Sequence, residues 1–208
     1  MYKRQHLCGR DPQALDAQQI ARAVVESVAE NTSDAVVGAL VWGALAGVPG
    51  LVGFRAVNTL DAMVGHKSPH YRRFGWASAR LDDAVGWPGA RLTAALTVLA
   101  APDQRGALRV ARRDASRHPS PNAGPVEAAF AGALGVRLGG TLAYAGRIEH
   151  RPVLGAENRP VRTADIERAV RLSRRVSLLA LGAAVGGRVL GSLVRTATTT
   201  AARRRNDR

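Results

Sequence analysis

Glu26, Glu30 and Asp34 stand four residues apart in "ESVAENTSD", with Asn31 beside the second. Like charges at that spacing repel by roughly 0.2–0.5 kcal/mol per pair in a helix. A solvated face gains nothing from them, whereas a bound cation or a basic partner would. Three further groups follow: Asn58 and Asp61 in "NTLD"; Lys67, Arg72, Arg73, Arg80, Asp82 and Asp83 in "KSPHYRRFGWASARLDD"; and Asp114, His118, Ser120, Asn122 and Glu127 in "DASRHPSPNAGPVE". Carboxylates with asparagines beside them and Lys or Arg close by suit Mg2+ carrying phosphates. The ion takes one or two carboxylates and completes its shell with water and phosphate oxygens, and the cations neutralise the remaining phosphate charge. No Walker loop or GxGxxG is present, and His66 and His70 lack an accompanying HExxH, so a zinc site is not expected. The competing reading is structural: an acid ladder also makes a salt-bridged or capping face, His118 before Pro119 also serves as a turn residue, and "RRFG" as a solvated loop. Spacing alone leaves the two open.

These residues need elements to hold them. "DAQQIARAVVESVAEN" reads as a helix opened by a capping box, Asp16 with Gln19, with Ile20, Val24 and Val28 as its apolar stripe. Ala35 to Phe54 carries no charge over about 20 residues, enough to cross the hydrocarbon core of a bilayer, but Pro49 and Gly50 predict a kink or a turn back. "GHKSPHYRRFG" reads as a loop and "WASARLDD" as a short helix, with Trp76 and Trp87 as interface anchors. "PGARLTAALTVLAAP" is a second apolar segment flawed by Arg91, and "DQRGALRVARRDASRH" a basic helix ending at the turn "PSPNAGP". "VEAAFAGALGVRLGG" reads as a small-residue helix and "TLAYAGRIEHRPVLGAENRP" as a loop. The last helix starts near Thr163 as N-cap, with Asp165 at its positive end, and turns apolar from Val176 to Val194 apart from Arg188. Glycines four apart (Gly43 and Gly47, Gly135 and Gly139, Gly182 and Gly186, Gly187 and Gly191) fit close helix approach in a membrane. Basic residues crowd 103–118 and 147–175, which the positive-inside rule places in the cytoplasm. Two such loops on one side require that "VEAAFAGALGVRLGG" does not span alone.

The 208 residues carry 30 basic and 16 acidic side chains, a formal net charge of +14. That balance points to nucleic acid, an anionic membrane surface or phosphorylated substrates. With 4% aromatics and no recognition motif, nucleic acid is not expected. The single Cys8 excludes an intrachain disulfide and a cysteine metal cluster, and the basic "MYKRQHLCGRDPQ" has no apolar segment behind it, so it is not a secretory signal. The mean hydropathy of −0.08 averages apolar and basic segments that alternate along the chain.

Together, "ESVAENTSD", "RAVNTLDAMVGHK", "YRRFGWASARLDD" and "RDASRHPSPNAGPVEAAFAGALGVRLGG" resemble the CobD/CbiB family of cobalamin biosynthesis, the adenosylcobinamide-phosphate synthases, over nearly the whole chain. "GHK" stands where the family more often has "GYK", and the family's upstream membrane helices have no counterpart here, so the chain reads as an N-terminally truncated copy. The resemblance implies an all-α, multi-pass helical bundle in the inner membrane, as one domain over 1–195 with a disordered basic tail over 196–208 and a polar site facing the cytoplasm. It implies ATP- and Mg2+-dependent amide formation between adenosylcobyric acid, a corrinoid, and aminopropanol or aminopropanol phosphate. The expected partners are these substrates, membrane lipids and a second copy in a homo-oligomer. On this reading Glu30, Asp82, Asp83 and His118 are catalytic. Asn31, Asn58, Lys67, Arg72, Arg80, Ser120 and Asn122 bind substrate, and Glu26, Glu30, Asp34 and Asp61 hold metal. A non-catalytic membrane sensor or scaffold of the AmpE-like type is the alternative. If one site exists, the "HPSPN" turn must lie within about 20 Å, two helix diameters, of Glu30.

Overall fold

A computed structural model describes residues 16–65, 74–144 and 147–206. Lys67 and Arg72, expected to bind substrate, lie outside the described residues.

Helix α1 (Ala17–Asn31) opens on the capping box expected for it. The Asp16 carboxylate accepts from the Gln19 N–H at 2.7 Å, and the Gln19 side chain accepts from the Asp16 N–H at 3.0 Å. The helix then widens into a π-turn over Thr32–Val37. The extra residue in such a turn re-aims the side chains it carries and is frequent at functional sites. Asp34 sits on it, so the acid ladder is not one continuous α-helical stripe.

Helix α2 (Gly38–Val64) holds the uncharged stretch, and it folds back on itself. Gly47 adopts φ 66° and ψ −153°, outside any helical conformation and open essentially to glycine alone. A β-carbon on Gly38 would fall within 2.4 Å of the Phe54 ring, whereas sixteen residues of straight helix would separate the two by about 24 Å. The stretch is therefore a helical hairpin with Leu45 and Val48 exposed at its tip. Among the described residues, the run Ala17–Val64 is the one long and apolar enough to cross a membrane, and only 11% of its apolar window is buried in the protein, unlike the core helix of a soluble domain.

Helix α3 (Phe74–Ala100) is continuous through "WASARLDD" and the second apolar segment, which the sequence reading had separated. The indole N–H of Trp42 donates to the Val85 carbonyl at 2.8 Å and fastens the hairpin to it. Helix α4 (Gln104–Asp114) is the basic helix. Helix α5 (Ala123–Leu134) is the central one: from Val126 to Leu134 every residue is buried. It touches α1, α3, α4 and the final helix α6 (Ala164–Asn206). Helix α6 continues to Asn206, within the basic tail that was expected to be disordered. Leu178, Leu179, Leu181, Val185 and Val189 stand exposed on its apolar half.

The molecule is mostly helical, but "TLAYAGRIEHRPVL" is not the loop expected. It forms an antiparallel hairpin of β1 (Leu138–Tyr144) and β2 (Arg147–Leu154). Leu138 and Leu154 pin its base in the core, and the guanidinium of Arg22 donates to the carbonyls of Gly139 and Thr141. Gly135 and Gly139 are consequently not a helix-packing pair: Gly135 ends α5 at φ 65°, and Gly139 lies in a bulge of β1.

Candidate active site

Side chains from all four polar groups of the sequence meet around one cavity of about 680 Å³. The π-turn and the end of α1 contribute Glu30, Ser33 and Asp34; α2 contributes Asp61; α3 contributes Trp76, Ala79, Arg80, Asp82 and Asp83; and the turn before α5 contributes His118, Ser120 and Asn122. The "HPSPN" turn and Glu30 therefore share one wall-to-wall space.

Two of its acids, Asp34 and Asp82, and the neighbouring Glu127 are held against their ordinary ionisation. Burial pushes Asp34, which lies just outside the uncharged stretch, up to about 7; the charges of Asp82 and Glu30 add to the rise, and a hydrogen bond from Ser33 and the nearby Arg55 oppose it. Burial also pushes Asp82 up, against a hydrogen bond from Asn58 at 3.3 Å, and Asp61 and Asp83 add to the rise. Glu127 is 2% exposed. Burial pushes it well up, helped by the charges of Glu26 and Glu30 and by a hydrogen bond with Glu30. Carboxylates crowded in this way relieve their repulsion by taking up protons or a cation.

His118 shows how the turn is built. The Ser120 N–H donates to its Nδ1 at 3.1 Å, which leaves the proton of the neutral ring on Nε2. That atom stands 3.6 Å from Glu127 Oε1, both side chains being buried. Burial holds the His118 pKa below its usual value, so the ring is a neutral donor through Nε2. The Ser120 hydroxyl accepts from the N–H groups of Asn122 and Ala123 and starts α5. The Asn122 side-chain amide donates to the Asp83 carbonyl at 2.9 Å, tying the turn to α3. Arg91, read from sequence as a flaw in an apolar segment, clamps the same turn: it donates to the Pro121 carbonyl at 2.8 Å and lies over Trp87, 4.8 Å from its centroid.

Not every expected site residue lines the cavity. Glu26 is buried and accepts the Gly139 N–H at 2.8 Å, anchoring the β-hairpin. Asn31 is exposed and donates to the Ser27 carbonyl at 2.8 Å. Asn58 acts one layer back: Arg55 donates to it at 3.0 Å and it donates to Asp82. Asp114 belongs to a separate framework, gripped by Arg113 at 2.8 and 2.6 Å and accepting the Gly155 N–H at 2.8 Å. Conversely, the sequence reading did not single out Arg151, which reaches the cavity from β2, or Arg55. No local pattern marks either; each comes into place through tertiary packing.

Among the described residues, no three His, Cys, Asp or Glu side chains form a ready-made metal cage. The four acids expected to hold metal do not act as one ligand set. The donors do fit Mg2+ in its usual manner, with one or two carboxylates and the remaining shell from water and phosphate. Asp34 and Asp82, both desolvated, are the candidates for that pair.

A family model described as CobD/Cbib protein matches residues 2–173. The cobalamin biosynthesis protein CobD of Mycobacterium tuberculosis (strain CDC 1551 / Oshkosh) is 57% identical over 183 residues, covering 86% of this chain and 57% of that protein. The protein of the same name from Rhodobacter capsulatus is 51% identical over 169 residues, covering 81% of this chain and 54% of the relative. That from Yersinia enterocolitica is 48% identical over 179 residues, with 84% and 56% covered. The chain thus spans a little over half the length of the curated relatives it matches. No solved structure matches it. By a family match over most of its length and by identities of this size, the chain belongs to the CobD/CbiB family.

Proposed function

We propose that the chain carries the reaction chamber of an adenosylcobinamide-phosphate synthase. Such an enzyme joins a carboxylate of adenosylcobyric acid to the amine of aminopropanol or its phosphate, at the expense of ATP. The observation that carries this reading is the convergence of five acids and neutralising cations on one cavity, in a chain similar to proteins named for cobalamin biosynthesis. A carboxylate does not react with an amine until it is activated. ATP supplies a phosphoryl group, giving an acyl phosphate, and the amine displaces phosphate as the amide bond forms. Mg2+, when bound, neutralises phosphate charge. Asp34 and Asp82 would hold it; Asn58 and Arg55 keep Asp82 in place behind them. Arg80 and Arg151 line the cavity as cations for phosphate oxygens, with Lys67 and Arg72 in the adjoining segment. His118 offers its Nε2–H to developing negative charge. The attacking amine must first lose a proton, and the Glu30–Glu127 pair is the acceptor beside the cavity. The hairpin tip and the apolar half of α6 insert into the inner membrane of a multi-pass protein, with the basic segments and the cavity at the cytoplasmic face.

The test is complementation of a strain blocked between cobyric acid and cobinamide. A version of the chain extended to the length of its relatives restores corrinoid-dependent growth, and the same version carrying Asp82→Asn does not. An extended version that inserts into the membrane but never restores growth would favour the non-catalytic, AmpE-like alternative.

A further inference from the structure

The cavity has the volume of a site for a drug-sized ligand, within the range of about 300–1,000 Å³. A corrinoid, a macrocycle bearing many amide arms and an adenosyl group, is larger than such ligands. The acids inside can therefore meet one carboxylate arm, while the ring stays at the mouth. The mouth has a distinct construction. Trp76, Ala79, Arg80 and Asp83 line the cavity and recur at the spacing that puts them on one face of α3. The outer part of that face is exposed, Trp76 by 63% and the Arg80 side chain by 67%, and the Asp83 side chain at its inner end is 34% exposed. Its inner end is closed by Asn122, bonded to the Asp83 carbonyl at 2.9 Å. Trp76 and Arg80 are one helical turn apart, and Ala79, which lines the cavity with them, carries only a methyl group. Among the described residues, Trp76 stands exposed and Arg80 holds a long contact to Asp83 at 3.8 Å.

The geometry points to this face of α3 as a ledge on which the flat ring of the corrinoid lies, against Trp76 and over Ala79, with Arg80 at its edge, while the reacting arm passes inward to the acids. The ledge rests on the proposed amide-forming function and names where that reaction holds its larger substrate. It separates two jobs: the ledge recognises the ring, and the interior handles phosphate, metal and amine. An aromatic at a membrane surface can also be an interfacial anchor, and an indole can stack on the adenine of ATP. Both are outcomes of the test.

The experiment is equilibrium dialysis of cobyric acid against detergent-solubilised full-length protein, followed by steady-state kinetics. Trp76→Ala is expected to raise the Kd for cobyric acid at least tenfold. Trp76→Phe, which keeps a flat ring, stays within threefold, and Ala79→Leu, which keeps Trp76 but raises a side chain through the ledge, weakens binding like Trp76→Ala. The KM for the corrinoid rises in parallel, and those for ATP and the amine do not. Unchanged cobyric acid binding in both Trp76→Ala and Ala79→Leu overturns the ledge and leaves the proposed function standing. A rise confined to the KM for ATP assigns the indole to adenine and also overturns it. Loss of membrane association with undisturbed cobyric acid binding makes Trp76 an anchor only. Failure of the unaltered protein to bind cobyric acid removes the proposed function together with the ledge.

Discussion

Asp165, buried, and Asp34, partly buried at the cavity, both sit near a helix boundary, and their surroundings treat them oppositely. Asp165, at the start of α6, accepts two bonds from Arg159 at 2.7 Å, one from Arg168 at 2.6 Å and one from the Arg162 N–H at 2.8 Å. The Arg159 contact, with the others, holds its carboxyl well below the usual range. Asp114 at the end of α4 is gripped in the same way by Arg113. Asp34 is surrounded by acids, and burial pushes it up to about 7. The difference separates two kinds of buried carboxylate. In the first, the protein supplies the cation and the charge serves the fold. In the second, the neighbours are other acids, and on the proposed function the charge is left for something the protein binds.

The largest effects on stability belong to the first kind. Asp114→Asn removes the buried charge that Arg113 and Arg117 pair with, although Arg113 keeps Glu157. The cost is about 3 kcal/mol, the low end for breaking a buried pair because the arginine is partly exposed. In a domain of this size that lowers Tm by about 6–12 °C, read by thermal melting in detergent. Asp165→Asn follows, at about 2 kcal/mol, since the amide keeps one acceptor oxygen for Arg159. Gly47→Ala probes the hairpin reversal. A β-carbon at φ 66° and ψ −153° costs about 1–3 kcal/mol, and an unchanged Tm there would contradict the fold-back.

The pH dependence has opposite signs in the two regions. Asp165 and Asp114 have depressed pKa values, so their contribution is present above the unfolded value near 4 and is lost as pH falls below it. Asp34 titrates near 7 in the fold and near 4 when unfolded. Between those values the unfolded state binds fewer protons, and stability falls as pH rises. Asp82 and Glu127 add to that fall. Metal-free protein is therefore expected to be most stable between about pH 4 and 6. Mg2+ should restore several degrees of Tm at pH 8 and do little at pH 5; chelation should reverse the gain. In Asp34→Asn the decline toward pH 7 shrinks, while the acid limb stays.

Part of this division was legible in the sequence. The Asp16–Gln19 capping box reads directly from residue type and spacing, and Pro49–Gly50 announced the reversal, although the pivot is Gly47. The four polar groups stood out by the number of acids and cations they hold, but spacing alone left a structural reading open beside the functional one. Which acid serves which purpose was not legible. Asp114 and His118 stand four residues apart in one motif, yet the first belongs to the framework and the second to the cavity, because Arg113 and Gly155 reach one, and Ser120 and Glu127 the other. Arg91 looked like a defect because its partners, Pro121 and Asn122, are thirty residues away in sequence. The β-hairpin was missed because Pro152 and the adjacent Gly139 and Gly140 interrupt an alternation that is short already.

The most direct test compares Asp82→Asn with Asp114→Asn in one preparation of full-length protein, measuring Tm and amide formation from cobyric acid. Asp82→Asn is expected to keep or slightly raise Tm in metal-free buffer, to lose the stabilisation by Mg2+, and to lower turnover by about a hundredfold, the scale of removing one electrostatic contact at a reacting phosphate. Asp114→Asn is expected to melt several degrees lower, with turnover per folded molecule little changed. If Asp82→Asn instead melts as low as Asp114→Asn while its folded fraction turns over normally, the cavity acids serve the fold, and the account is wrong.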